Sequence, residues 1–258
     1  EHMEATEVVS RFMHEATLAQ VVDSPHVAKV FESGQVDDTL FLALEYVPGW
    51  PLSRLVNEAY VAGIELSTDA IVRIAQGILS GLRDLHTVRH PESQKLMQVV
   101  HRDIAPKNVM VSPEGRVCLI DLGLGRSPLR EQHTRAGVIM GSPGYMSPEQ
   151  IVAGNIAART ALFAVGDILW EMLAGQRWIS GGTAVDRLVA QLNHTFTDPS
   201  GYKGRGSAAL DAVCRRATAQ VAEDRYPDAA AFIDALQQAH PLQDDSALRA
   251  LVDAVGRK

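Results

Sequence analysis

Between Val99 and Val111 the chain reads VVHRDIAPKNVMV, the stretch that most narrows what it can fold into. Two apolar runs flank a cluster of His101, Arg102, Asp103 and Asn108. A fold that buries both flanks must hold the polar cluster in a short connection at the floor of a cleft, where rigid neighbours fix its side chains. Such a position suits side chains that act on a ligand.

The periodicity on either side sorts the rest of the chain. Glu7–Val22 places Val8, Phe12, Ala16, Ala19 and Val22 at spacings of three and four, which predicts an amphipathic helix ended by DSPH. VAKVFESG and TLFLALEYV are β-rich runs separated by GQVDD, and they predict an antiparallel pair. PGWPL breaks the chain. TDAIVRIAQGILSGLRDLHTV then predicts a long helix with Thr68 as its N-cap and Ile71, Ile74, Ile78, Leu82 and Leu85 on its buried stripe. Short strands are expected at QVV, VMV and RVCLID, the last two joined by the turn SPEG. From about Ala157 the chain reads as helices. The fold class is therefore α+β: a partial small layer of one helix and two strands over residues 1–48, then a mainly helical body over 49–240. Residues 241–258 form a short amphipathic tail helix through Leu248, Leu251, Val252 and Val255, expected to pack on the body.

Composition excludes several classes. A net charge of −7 argues against nucleic acid as a general partner, because phosphate binding needs a basic surface. Cys118 and Cys214 each sit in an apolar-periodic stretch with no metal-ligand companion, as expected of core thiols in a reducing compartment. No apolar run approaches the roughly 18 residues of a membrane span, and no signal peptide opens the chain, so a cytoplasmic segment is expected.

A second acid, Asp121, ends the β-rich run in LIDLGLGRS, with Gly123 allowing a sharp turn behind it. An aspartate that orients a hydroxyl, with an Asn/Asp pair of oxygen ligands, suits magnesium and a transferred phosphoryl group. HRDIAPKN, DLG and GSPGYMSPEQ, preceded by HEA, follow one another in an order and spacing that resembles the protein kinase superfamily, in the style of bacterial Ser/Thr kinases of eukaryotic type. The resemblance covers roughly Glu7 to Ala239.

It implies a protein-kinase-like fold and a Ser/Thr kinase catalytic domain that transfers the γ-phosphate of ATP to protein hydroxyls, with ATP and Mg2+ as its cofactors. By position in the motifs, Asp103 would accept or orient the hydroxyl proton, while Asn108 and Asp121 would hold the metal. Glu45 and Val47 would offer backbone groups to the adenine over a floor at Met110. Glu15 stands where the family's helix carries a regulatory glutamate. Arg102 would bind a phosphorylated residue, Thr134 being the best candidate, and Ser142 would contact Asp103. Glu149 and Arg225 would form a buried ion pair. The implied partner is a protein substrate with a Ser/Thr hydroxyl, and a homodimer is left open.

The sequence departs from the family pattern in three places. The family's Gly-rich loop and strand lysine precede the helix with the glutamate, whereas here the first glycine is Gly34 and the first lysine Lys29, both after Glu15. The first small-lobe strands are thus missing from the chain as given, and by itself it is expected to bind Mg-ATP weakly and show little activity. Ala105 replaces the lysine usual two residues after the catalytic aspartate, with Lys107 two positions on. Ala161 stands where an aspartate normally anchors the catalytic loop; Asp167, six residues later, needs a partner of its own in the core. These departures favour the alternative of a pseudokinase, a binding or scaffold module without phosphoryl transfer. A small-molecule phosphotransferase would share the Asp…Asn…Asp arrangement but lacks an equivalent of GSPGYMSPE.

Overall fold

A computed structural model of the chain describes residues 2–37, 39–97, 99–122, 141–203, 205–244 and 246–257. Helix α1 (His2–Gln20) leads into β1 (Val30–Val36) and β2 (Thr39–Leu44), an antiparallel pair with Val30 opposite Leu44 and a bulge at Phe31. The predicted inner stripe of α1 is buried from Phe12 to Ala19, and Val22 beyond the helix is buried with it. Main-chain bonds pin this small layer to the body. Ala28 N–H donates to the Leu119 carbonyl and Leu119 N–H to the His26 carbonyl, both at 2.8 Å.

Strands β3 (Trp50–Pro51), β4 (Val109–Val111) and β5 (Val117–Leu119) form a second antiparallel sheet in that order. Val99 and Val100 of the run expected as a strand lie in irregular backbone, and Gln98 is outside the described residues. Both edges of β4 are taken, and Val27 and Ala28 cover the outer edge of β5, so no edge is left for that run. Trp50–Pro51, read from sequence as a break, supplies the third strand instead. Pro51 lacks an N–H and sits at the end of an edge strand, where the ladder needs no donor.

Helices α2 (Leu52–Val61) and α3 (Thr68–Thr87) follow β3. Ile71, Ile74, Ile78, Leu82 and Leu85 are fully buried along α3. Its cap is Ser67 rather than Thr68: the Ser67 side chain accepts from Ala70 N–H, while the Thr68 hydroxyl donates to the Arg205 carbonyl at 2.7 Å. After β5 come α4 (Pro148–Ile151), α5 (Ala158–Ala174), α6 (Ala184–Leu192), α7 (Ser200–Lys203), α8 (Ala208–Ala217), α9 (Ala229–Ala239) and α10 (Ser246–Gly256). Helix α5 is buried along nearly its whole length and packs on α3 and α8. Gly166 makes the second approach close, since a Cβ there would meet the Ala217 Cβ at 2.6 Å. The tail helix α10 buries Leu248, Leu251, Val252 and Val255 and packs on α2 and α3. Among the described residues no helix is long and apolar enough to cross a membrane.

Asp167 finds its partner in α6. Gln191 Nε2 donates to Asp167 Oδ2 at 3.4 Å, while Asp167 Oδ1 and Gln191 Oε1, both buried, have no donor among the described residues. We expect a proton on Asp167 to be shared between these two oxygens. Burial, with the Glu171 charge one turn on, pushes the Asp167 carboxyl well above its ordinary value of about 3.9. A raised carboxyl stabilises the fold most at low pH, and that stability is lost as pH rises from about 4 towards the folded value. Asp167→Asn keeps the shape and supplies the missing donor at every pH. The variant is therefore expected to melt higher than the parent by several degrees at pH 8, with the gap closing near pH 4. A gap that does not vary with pH in thermal denaturation would refute the protonated pair.

Candidate active site

Pro106 to Asn108 wind into a single 3-10 turn ahead of β4, with proline at the start, where a missing N–H costs nothing. The turn folds Asn108 back onto Asp103. Asn108 Nδ2 donates to the Asp103 carbonyl at 2.8 Å and to its Oδ2 at 2.9 Å. On the other side the Ser142 hydroxyl donates to Asp103 Oδ1 at 2.8 Å. Lys107 Nζ stands 3.6 Å from Oδ2 with its side chain 54% exposed, whereas Asp103 is 3% exposed. Around a carboxylate this deep, two donors and a cation take the place of water.

The histidine of the cluster braces the loop from beneath. Asp103 N–H donates to His101 Nδ1 at 3.3 Å, so the ring proton sits on Nε2, 3.3 Å from the Ile120 carbonyl. Ile120 N–H in turn donates to the Asn108 carbonyl at 2.9 Å. These bonds fix the end of β5 against the loop and bring Asp121 beside it. Asp121 is exposed and has φ +57°, a left-handed conformation that a non-glycine residue rarely adopts and that aspartate tolerates better than most. Gly123 and Thr134 lie outside the described residues.

Ala161 is buried beside the loop, and a cavity of about 10 Å3 lies between it, His101, Asp103 and Ser142. The loop is held by a residue that sequence reasoning passed over. Gln150 Nε2 donates to the Arg102 carbonyl at 3.0 Å, while its Oε1 accepts from Ser147 N–H. The signal was present as Ser-x-x-Gln at the start of α4, a capping box whose glutamine is thereby fixed in place. Arg102 itself is half-buried.

Glu149 and Arg225 meet in a bidentate pair at 2.7 and 2.9 Å. The Arg225 guanidinium also donates to the carbonyls of Ala219, Arg159 and Gln220 and lies over the Phe163 ring. Burial pushes the Glu149 carboxyl up, but the bonds and charge of Arg225, its own N–H and the Thr160 hydroxyl together hold the group below its ordinary value.

Val47 packs with Ala28 and Cys118 in a small apolar cluster that Met110 and Ile120 join from the edge, apart from the main core. Glu45, beside it, gives its N–H to the Lys29 carbonyl, and its carboxylate is paired with Arg116 at 2.6 Å. That guanidinium holds the Glu45 carboxyl below the usual range and also binds the Pro25 carbonyl. Nothing in the sequence near Arg116 announces a partner 71 positions away. Glu15 is half-buried on α1, the helix packed on β1, and is not part of this cluster. Burial drives both cysteine thiols up, Cys118 to about 11, as expected of inert core residues.

A family profile described as "Protein kinase domain" matches residues 1–241. The tyrosine-protein kinase MasK of Myxococcus xanthus is 31% identical over 229 residues, 89% of this chain and 35% of its own length. The serine/threonine-protein kinase pkn3 of Myxococcus xanthus is 32% identical over 240 residues, 89% of this chain and 42% of its own length. The chain thus spans between a third and a half of these two relatives. In shape it is similar to the PknI kinase domain of Mycobacterium tuberculosis, with a TM-score of 0.68, 22% identity, and coverage of 90% of this chain and 79% of that one. With its mainly helical body, its partial small lobe and a matched stretch from residue 1 to 241, this chain belongs to the protein kinase domain family.

Proposed function

We propose that this chain is built to transfer the γ-phosphate of ATP to a serine or threonine hydroxyl of a protein, slowly as given because no Gly-rich loop or strand lysine precedes Glu15, with Asp103 receiving or orienting the hydroxyl proton. The observation that carries the reading is the buried Asp103 carboxylate, held on one side by Ser142 and on the other by Asn108, with the Lys107 ammonium at its solvent edge. Both protons that Asn108 has to give go to Asp103, so its amide oxygen is the atom left for a cation. With the Asp121 carboxylate this makes an oxygen-only donor set, which fits Mg2+. When bound, the ion neutralises charge on the ATP phosphates. The adenine is assigned to the cluster of Val47, Met110 and Ile120, beside the Glu45 main chain. Arg102 is assigned to a phosphorylated residue of the 123–140 segment, Thr134 by preference, and Glu15 to a regulatory role.

Ala105 leaves the usual lysine position empty of charge, and Lys107 takes it over within this reading, steadying the negative charge that builds between Asp103 and the transferred group. Lys107→Ala is expected to slow transfer about 10²-fold and Lys107→Arg to restore most of it, measured with labelled ATP and a mixed Ser/Thr peptide pool. An alanine variant as fast as the parent would rule this role out. Two departures favour the second reading, a pseudokinase used as a binding module: no Gly-rich loop or strand lysine precedes Glu15, and Ala161 deprives the loop of a carboxylate anchor. The Gln150 bond to Arg102 offsets that loss. Mg-dependent ATP binding without transfer to any hydroxyl would select the pseudokinase.

A further inference from the structure

One residue beyond Ser142, which touches Asp103, the chain opens a cavity of about 310 Å3. Its walls are the Pro143–Tyr145 turn, Ile179 to Gly181, and the side chains of Glu171, Arg177 and Arg187. Tyr145 N–H donates back to the Ser142 carbonyl at 3.0 Å, so the turn that lines the cavity is rigidly joined to the residue on the catalytic aspartate.

The cavity wall carries two guanidiniums, Arg177 and Arg187, against one carboxylate, Glu171. Glu171 is already engaged: it accepts from the Tyr145 hydroxyl at 2.7 Å, from Arg177 Nη1 at 3.1 Å and from Trp178 N–H at 3.1 Å. Asp186, the nearest acid on the following segment, is used in capping α6, where it accepts from the Thr183 N–H and hydroxyl. Arg177 engages Glu171 through a single nitrogen and keeps its side chain 54% exposed. Arg187, half-buried, donates to the Gly182 carbonyl at 3.2 Å, its one hydrogen bond among the described residues. Two guanidiniums thus line the cavity with N–H donors to spare, while Glu171 offsets one charge and Asp186, outside the wall, acts on Arg187. A guanidinium presents five N–H donors in a fork matched to a carboxylate.

We infer that this cavity receives an acidic side chain of the protein substrate close to the accepted hydroxyl, and that Arg177 and Arg187 set this preference. The inference rests on the kinase reading above, and it adds a substrate class: proteins with aspartate or glutamate flanking the serine or threonine. A basic residue in the same place would face two guanidiniums and be rejected.

The test uses the 258-residue chain and three fluorescein-labelled peptide pools built around one central serine, with flanking positions occupied by Glu, Gln or Lys. In fluorescence anisotropy at low salt, the Glu pool is expected to bind about tenfold tighter than the Lys pool, with the gap shrinking as salt is raised. Arg187→Glu is expected to invert the order, which loss of structure would not do; Arg187→Gln, a milder change, is expected to level it. Equal binding of the three pools, no binding of any, or a preference that survives both variants would overturn the inference. Phosphoryl transfer to the pools is read separately. Transfer that ignores flanking charge sinks only the cavity assignment, whereas Glu-selective binding with no transfer to any pool sinks the kinase reading.

Discussion

Asp103→Asn is expected to cut phosphoryl transfer about 10²–10⁴-fold, the range set by a positioned general base. The substitution changes one group and little else in shape. Asparagine can still accept from the Ser142 hydroxyl, so the contact to residue 142 survives. On the other side its amide would turn N–H against N–H at Asn108 and lose the charge that draws Lys107 in. The variant therefore loses the proton acceptor and the local electrostatics together, while the 3-10 turn, the His101 brace and the Gln150 bond stay in place. Single-turnover transfer to a serine peptide reads the effect, with circular dichroism confirming the fold. A variant that keeps a third or more of the parental rate would remove Asp103 from the chemistry.

The largest stability effect is expected at Arg225. Removing one partner of a buried ion pair typically costs about 3–5 kcal/mol, because the other charge is left without compensation. Arg225→Ala strands Glu149 and also deprives three carbonyls of a donor and the Phe163 ring of its cation. At about 2–4 °C per kcal/mol for a chain of this size, the melting temperature should fall by roughly 10 °C. Glu149→Gln is the gentler change, since the glutamine oxygen can still accept from the guanidinium. The Glu149 carboxyl is held below its ordinary value, so its contribution is present above about pH 4 and is lost as pH falls through the folded value. Differential scanning calorimetry of the two variants checks both statements. A loss of under 2 °C for Arg225→Ala would show the pair to be a surface-like contact.

What could be read from the sequence follows from how local each signal is. The stripe of α3 and the α10 face were legible because burial repeats with the helical period, and the burial of Ile71 through Leu85 and of Leu248 through Val255 follows those patterns. The packing of the loop around Asp103 was legible because its residues bond within a few positions of one another, from His101 to Asn108. Sheet membership was not. Whether Val99–Val100 or Trp50–Pro51 flanks β4 depends on which edges distant segments have already taken. The partners of Arg116, Gln150 and Asp167 lie 71, 48 and 24 positions away, and no periodicity encodes a single long-range hydrogen bond. Thr68 failed as a cap for a local reason: Ser67, equally suited, stands immediately before it.

The central claim is that the loop around Asp103 performs phosphoryl transfer rather than merely surviving as part of a binding module. Intact-mass spectrometry of a serine/threonine peptide pool, incubated with the chain, ATP and Mg2+, tests it most directly. The account predicts a mass gain of one phosphoryl group on a small fraction of the peptides after prolonged incubation, absent with Asp103→Asn and absent when the magnesium is chelated. Peptides unchanged in mass after prolonged incubation with a folded chain that binds Mg-ATP would contradict it.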